Sequence, residues 1–509
     1  APADKEGEVR NATPEEFESA LTAATPWAAS GEERAAVLER AAELYERDFG
    51  EILTIAAREA GKNLPDAVGE LREAVDFLFY YAEQARQHAL SPRERFVCIS
   101  PWNFPLAIFT GQIAGALAAG NAVLAKPAEQ SPLIAAKGIA LLHEAGVPRA
   151  ALQLLPGDGP SVGNRLTTDP RVNGVAFTGG TDTARIIQRN MAEHCAPGTP
   201  FIAETGGLNA MIMDSTALHE QAVVDVIASA FQSAGQRCSA LRCVYVQKEV
   251  HEAFMTMLYG AMDELQIGDP WLLSTDVGPV IDAEAASAIQ AYIDNAQAQG
   301  RLLKQLSAPT DGNFIGPAVI RVNSIEDLEK EVFGPVLHVA TYAADQLDEV
   351  IKQINDRGYG LTFGAHTRIS ERAEYLAKRI KAGNIYINRN QIGAIVASQP
   401  FGGEGLSGTG PKAGGPHYVS RFSALPTTDT PPVVGAPAHS ITMPGPTGES
   451  NTLYLKPRLP LLCLGPGAEV AEAQRQHVES LGGTGVVVDD FDPATLETRT
   501  DFSGVIWWG

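Results

Sequence analysis

The chain has 509 residues, about three times the ~150 expected of one domain, so it should fold as roughly two to four domains. Its formal charge of −22, from 39 basic and 61 acidic residues, excludes nucleic-acid binding as a main activity, because phosphate contacts need clustered Lys and Arg. Hydrophobic residues at 45% and charged residues at 20% are the proportions of a globular chain and exclude a disordered one. Up to about residue 90 the chain reads as helices. Apolar residues recur at spacings of three and four through Val37, Leu38, Ala41, Ala42 and Tyr45, and again through Leu71, Val75, Phe77, Leu78 and Tyr81. From Phe96 onward, short apolar runs at 96–100, 121–125, 174–177 and 210–213 alternate with helical stretches at 132–145, 183–194 and 216–231. Strands apolar on both faces, alternating with helices, are the signature of a parallel, doubly wound sheet. The rhythm repeats with strands near 242–247, 335–341, 362–366 and 384–387 and a helix at 370–382. From Pro426 to Gly448 the chain is rich in proline and glycine and reads as a linker or an extended hairpin. Beyond it, residues 459–509 read as one βαβ fragment. Such a fragment cannot easily bury both faces of its sheet, so it is expected to be truncated or packed on the main body.

No apolar run reaches the ~18 residues of a membrane helix, and residues 1–10 lack the charged-then-apolar profile of a signal peptide. Five cysteines, an odd number in a long chain, argue against a disulfide scaffold and for a reducing cytoplasm. The first residue is not Met, which reads as a trimmed or engineered chain. No Cys pair or His/Cys cluster has ligand spacing, so no metal is expected.

Several local clusters carry candidate chemistry, each with a plainer alternative. Cys238 lies in Gly235-Gln236-Arg237-Cys238-Ser239; a lone cysteine is usually a small buried hydrophobe, but these neighbours are poor core formers, and an adjacent Arg would favour the thiolate. Cys98 and Cys243 sit inside apolar runs and read as core. Glu204, at the end of a short strand and followed by Thr205-Gly206-Gly207, is either a solvated strand-end acid or a general base tuned by burial. Asn103, in Pro101-Trp102-Asn103-Phe104-Pro105, could cap the following helix or offer its amide to a developing oxyanion. Thr178-Gly179-Gly180-Thr181 follows a strand and opens a helix, where backbone N–H groups can receive a phosphate. Lys126 and Glu129 are either surface decoration or a pair that holds ribose hydroxyls, in which case the carboxylate repels a 2′-phosphate. Gly465-Pro466-Gly467 is a poor second dinucleotide site, because proline has no N–H to offer.

Taken in order, these pieces resemble the aldehyde dehydrogenase superfamily: PWNFP at 101–105, KPAE at 126–129, FTGG at 177–180, ETGG at 204–207, GQRC at 235–238, EVFGPV at 331–336 and PFGG at 400–403. The match spans roughly residues 30–423. Residues 384–416 are similar to the glutamate-semialdehyde branch, above all to the dehydrogenase half of the bifunctional proline utilization enzymes, and the segment after 440 looks like the C-terminal extension of the longer members. The resemblance implies an α/β aldehyde dehydrogenase fold. A Rossmann-like NAD-binding domain with N-terminal helices would occupy 1–205 and an α/β catalytic domain 206–390. An anchor loop returning to the first domain would follow at 391–424, a linker or oligomerisation flap at 425–455, and a partial, non-catalytic α/β segment at 456–509.

By the same resemblance Cys238 is the nucleophile, Glu204 activates the hydrolytic water, and Asn103 with the Cys238 N–H stabilises the oxyanion. NAD would be held by Pro101, Trp102, Lys126, Glu129, Gly179, Gly180, Thr181, Gly206, Glu331 and Phe333. The substrate, carrying a carboxylate, would meet Arg237, Ser239, Gly393, Ala394, Phe401 and Phe104; the alternative for Arg237 is a surface ion pair. The implied reaction is NAD-dependent oxidation of L-glutamate γ-semialdehyde, the second step of proline breakdown. A dehydrogenase for another carboxylated semialdehyde and a non-catalytic assembly module are the alternatives. A homo-oligomer and a flavin-bearing (FAD) proline dehydrogenase domain in the natural protein are the expected partners, with no nucleic acid and no membrane span. Three positions depart from the common superfamily pattern: Gly180 in place of Ser, Ala184 in place of Gly, and Leu208 in place of Lys.

Overall fold

The computed structural model describes residues 7–424, 440–455, 459–488, 492–497, 499 and 501–508. Contacts divide the chain into two units, Ala1–Ala424 and Leu425–Gly509. Residues 425–439, which hold most of the expected linker or flap, lie outside the described residues.

The first unit begins with helices α1 (Pro14–Ala23), α2 (Gly31–Arg47), α3 (Phe49–Ala60) and α4 (Leu64–Gln87). Their boundaries follow from capping chemistry. Thr13 with Glu16 and Ser30 with Glu33 form capping boxes, Asn63 accepts from Asp66 N–H, and Gly61 ends α3 at φ 66°. The apolar stripe of α2 (Leu38, Ala41, Ala42, Tyr45) and that of α4 (Leu71, Val75, Leu78, Tyr81) share one core.

Strands β1 (Arg95–Ile99), β2 (Ala122–Lys126), β3 (Leu152–Leu154), β4 (Gly174–Gly179) and β5 (Phe201–Thr205) form a parallel sheet in the order β3-β2-β1-β4-β5. Between β1 and β4 the winding direction reverses, and the ends of those strands open a crevice there. Helices α5 (Ala107–Ala118), α6 (Pro132–Ala145), α7 (Asn164–Thr168) and α8 (Thr181–His194) connect the strands. The helical bundle covers one face of the sheet, while α1 and α8 cover the other, so the strands are apolar on both sides. Helix α5 was not legible from periodicity, because it is buried all round from Phe109 to Ala118 and shows no polar face.

The second sheet takes the order β13-β12-β6-β7-β10-β9-β8. Its strands are β6 (Ala210–Met213), β7 (Cys243–Gln247), β8 (Leu302–Gln305), β9 (Ala318–Arg321), β10 (Val336–Tyr342), β12 (Thr362–His366) and β13 (Asn384–Ile387); the short β11 (Tyr359–Gly360) pairs with β14 (Glu404–Gly405) outside it. All pairs in this sheet are parallel except β8 with β9. Helix α9 (His219–Phe231) starts three residues later than the hydrophobic pattern indicates, since Thr216 closes a turn on the Asp214 carboxylate. Helix α10 spans His251–Asp263, α11 Ala283–Ala298, α12 Leu347–Asp356 and α13 Ser370–Arg379. The last of these stops short of the expected residue 382 because Ile380 turns extended toward β13. After β13 the chain returns to the edge of β5, where Thr205 N–H donates to Ser407 O and Thr409 N–H to Ala203 O.

In the second unit, β15 (Ser440–Met443) and β16 (Asn451–Tyr454) form an antiparallel hairpin. Strands β17 (Leu461–Cys463), β18 (Gly485–Val487) and β19 (Gly504–Ile506) form a parallel sheet in the order β18-β17-β19. Residues 467–480 form a helix beside it, and Val486, Val505, Trp507 and Trp508 are exposed. The Gly465 N–H and C=O are both satisfied by the buried Gln474 side chain.

One buried carboxylate ties α4 to α5. Glu70 Oε2 accepts from the Leu106 and Ala107 N–H groups at the start of α5, and Oε1 faces Lys62 Nζ at 3.6 Å. Glu70→Ala should therefore cost about 3–5 kcal/mol, since it strands a buried ammonium, and should lower the midpoint of urea unfolding.

Candidate active site

At the C-terminal ends of β4 and β5, beside the start of β12, an open cavity of about 810 Å³, counting the solvent at its mouth, is lined by Cys238, Glu204, Arg237, Ser239, Gly393, Ala394, Phe401 and Phe104. These residues lie up to 297 positions apart in sequence, from 104 to 401, and the two-sheet architecture brings them onto one surface.

Cys238 stands on the loop between α9 and β7. The loop is held from inside the second sheet by Asn209, whose amide donates to Cys238 O at 2.7 Å and Ala240 O at 2.9 Å while its oxygen accepts from Thr362 N–H. It is held from the other side by Arg242, fully buried, which donates to Gly235 O, Arg237 O and Gly334 O and pairs with Glu331 at 2.9 Å. The thiol is pushed up to about 12 by burial and then by the Glu331 and Glu204 carboxylates. The expected thiolate-favouring effect of Arg237 is outweighed, for a physical reason: its guanidinium is committed to the buried carboxylate of Asp66 at 2.7 Å. That pair also corrects the surface-pair alternative, since Arg237 is only 8% exposed.

Glu204 closes β5 in a cradle of glycines. Its Oε2 accepts from Gly403 N–H at 3.0 Å, and a Cβ on Gly402 would lie 2.7 Å from Oε1. Burial raises the carboxyl to about 8, against the lowering pull of the Gly403 N–H and Lys412. The reading of a solvated strand-end acid is thereby replaced: this is a desolvated carboxyl that keeps its proton at neutral pH.

Asn103 does not cap α5, a role taken by Glu70. Its amide instead donates to Gln236 O at 3.1 Å. It borders a smaller neighbouring pocket with Trp102 and Gln236, and it is not among the residues that line the Cys238 cavity. Phe333 meets Trp102 edge-on at 5.6 Å and lies beneath the Arg242 guanidinium at 5.3 Å. A Cβ on Gly206 would come within 1.9 Å of Glu331 Oε2, so any other residue there would push the Glu331 carboxylate aside.

The other residues expected to hold a dinucleotide sit at the crevice of the first sheet. Lys126 is buried and bonds Pro127 O and Glu129 Oε1, the latter at 3.3 Å, while the Glu129 side chain is half-exposed. Gly179 ends β4, and Gly180 precedes Thr181 at the start of α8 with no side-chain cap and nothing within 4 Å of a Cβ built on it. Pro101 is buried beside Trp102. Leu208, one of the three departures, packs into the apolar core of the second sheet, a place unsuited to lysine.

Sequence reasoning missed the groups that hold the site: Asn209, Arg242, Asp66, Lys62, Glu70, and Glu73, which lines the cavity and is raised to about 8 by burial and by Glu70. A polar residue inside an apolar stretch, as at Asn209 and Arg242, was the available signal. Among the described residues there is no cluster of His, Cys, Asp or Glu that could hold a metal, and no helix long and apolar enough to cross a membrane.

The arrangement predicts selective but reluctant alkylation. Iodoacetamide should label Cys238 and spare the fully buried Cys98 and Cys243. The rate should climb about tenfold per pH unit from 7 to 10, since thiolate is the nucleophile. A plateau below pH 9, read by peptide mass spectrometry, would contradict the raised thiol.

Residues 1–427 match the model of the aldehyde dehydrogenase family. The chain is 49% identical to the bifunctional protein PutA of Klebsiella aerogenes, over 94% of this chain and 42% of that protein. It is 36% identical to the 1-pyrroline-5-carboxylate dehydrogenase of Bacillus cereus, over 84% of this chain and 88% of that one. Among solved structures, the 1-pyrroline-5-carboxylate dehydrogenase from Thermus with bound NAD superposes with a TM-score of 0.76 at 34% identity, covering 81% of this chain and 85% of that one. The chain thus spans less than half the length of the bifunctional relatives and most of the length of the single-function ones. It has the aldehyde dehydrogenase fold and belongs to the aldehyde dehydrogenase family.

Proposed function

We propose that this chain oxidises L-glutamate γ-semialdehyde, the open form of Δ1-pyrroline-5-carboxylate, to L-glutamate with NAD. The observation that carries the reading is the shared cavity: a thiol and a desolvated carboxyl line it together with Arg237, Ser239 and the left-handed Gly393, at φ 77°, whose loop can turn its N–H groups toward a carboxylate. The names of the relatives supply the substrate, and the Thermus structure supplies the cofactor.

The residues present fit a dinucleotide. The uncapped start of α8 with an open Gly180 offers backbone N–H groups to a pyrophosphate, and Lys126 with Glu129 stands at the end of β2 for a ribose. Glu331 and Phe333 would hold the nicotinamide end beside Cys238. When bound, NAD supplies the hydride acceptor.

Cys238 Sγ gives its proton to solvent and attacks the aldehyde carbon, giving a thiohemiacetal whose oxygen takes a hydrogen bond from the Cys238 N–H and, once Asn103 turns its amide from the Gln236 carbonyl toward the cavity, from that amide as well. Departure of the hydride leaves a thioester on Cys238. Glu204 then accepts a proton from water, whose oxygen attacks the thioester carbon and expels the thiol with glutamate. Arg237 and Ser239 face the substrate carboxylate, and Phe401 and Phe104 cover its aliphatic chain. The same proposal includes a flavin-dependent proline dehydrogenase domain as partner in the natural protein, self-association, and a non-catalytic role for the second unit.

The direct test is steady-state NADH formation from the semialdehyde against a panel of neutral aldehydes. Cys238→Ser should produce no NADH while NAD still binds, by fluorescence titration; near-full turnover in that variant would overturn the assignment. Glu204→Gln should release about one equivalent of NADH in a burst and then stall, because oxidation precedes hydrolysis.

The pH dependence has a defined sign. Below about 8 the Glu204 carboxyl holds its proton and cannot serve as base, so thioester hydrolysis should rise with pH and reach half its maximum near 8. Hydrolysis already flat between pH 6 and 9 would show that another group is the base.

A further inference from the structure

The chain enters the Cys238 loop through a strained turn. Ser233, Ala234 and Gly235 all have positive φ, at 54°, 53° and 66°. Gly235 has no alternative, since a Cβ there would sit 2.1 Å from Gly334 O. Ser233 and Ala234 adopt a region that residues with a Cβ avoid, and such backbone persists only where its surroundings over-determine it.

The surroundings supply one carboxylate. Asp66, 3% exposed in the first turn of α4, receives three side-chain donors from this short segment. Oδ2 accepts from Ser233 Oγ at 2.6 Å; Oδ1 accepts from Gln232 Nε2 and from Arg237 Nη2, each at 2.7 Å. Arg237 Nε donates to Ser233 Oγ in turn, closing the ring, and its guanidinium lies over the Phe104 ring at 5.3 Å. Asp66 is itself fixed, because its N–H donates to the Asn63 cap and Asn63 Nδ2 donates to Asp276 O. Burial alone would raise its pKa, but Arg237, Lys62 and the Ser233 and Gln232 hydrogen bonds together hold it below the ordinary value, so it is charged.

We propose that Asp66 is a positioning residue for the chemistry at Cys238: from α4 its carboxylate pins the left-handed 233–235 turn and the Arg237 guanidinium, and so sets where the thiol stands at the cavity wall. This rests on reading Cys238 as the nucleophile. Asp66 touches no reacting atom; it acts through the turn and through Arg237. A carboxylate suits the task because it accepts from all three donors at once, whereas an amide of the same shape turns two of its hydrogens toward them.

The test uses the full 509-residue chain with Asp66→Asn, Asp66→Ala and Ser233→Ala, and has two arms. In the first, kcat on a neutral aldehyde should fall about 100-fold in Asp66→Asn with KM changed less than about threefold, the consequence of a displaced nucleophile. The Asp66→Asn Ser233→Ala double variant should lose little more than Asp66→Asn alone, since both changes break the same tie. The second arm needs no substrate: the iodoacetamide rate at Cys238 is measured from pH 6 to 10. The titratable groups facing this thiol are Glu331, Glu204, which itself loses its proton near 8, and Arg237. With Asp66 neutralised, Arg237 is no longer compensated, and the labelling profile should move about one pH unit lower. Asp66→Asn that melts like the parent, keeps kcat within twofold and leaves the labelling profile unmoved would overturn the proposal, as would full additivity with Ser233→Ala. If Asp66→Ala fails to fold, Asp66→Asn and Ser233→Ala decide alone. Failure of the proposed function shows separately, as absence of NADH formation by the unaltered chain, and the labelling arm then still judges Asp66.

Discussion

A carboxyl at the end of β5 and a thiol on the loop before β7 share the wall of one cavity, and burial makes ionising either of them costly. That shared desolvation governs the site. It raises the Glu204 carboxyl to about 8 and the Cys238 thiol to about 12, so both groups are neutral at physiological pH. A neutral thiol resists stray oxidation and alkylation.

Keeping such groups in place requires polar bonds buried beneath the surface, and the fold supplies them from both sides. Arg242, with no exposed surface, bonds three backbone carbonyls on the two strands of chain that flank Cys238 and pairs with Glu331. Asn209 bonds the carbonyl of Cys238 itself from the segment that directly follows Glu204. Glu204 and Cys238 are therefore linked through one side chain at the start of β6. On the far side, α4 lines the cavity with Glu73 and also contributes Asp66 to the turn before Cys238 and Glu70 to the start of α5.

Many alternatives left open by local sequence were decided by burial alone. Lys126 and Arg237, each consistent with surface decoration, are buried and paired, whereas Glu129 keeps a half-exposed side chain. Asn103, placed like a helix cap, gives its amide to the Gln236 carbonyl because Glu70 already caps α5 from another helix. Leu208 stands in place of a commoner lysine because its position faces the apolar core. Helix α5 escaped periodicity for a related reason: an element buried on all sides carries no alternation to read.

The amino-acid sequence by itself determined the alternation of strand and helix, the doubly wound class, the motif residues Cys238, Glu204 and Asn103, and the membership those motifs imply. Each of these depends on neighbours within about ten residues, through period, capping or turn chemistry, and such local physics is written directly in residue order. Only the tertiary structure decided which of those groups share a cavity, that the thiol and the carboxyl are neutral at rest, and that Asp66, Asn209 and Arg242 hold them. Desolvation and pairing depend on what lies across space. Asp66 and Arg237 are 171 positions apart in the chain and 2.7 Å apart in the fold, a contact to which no short-range pattern points.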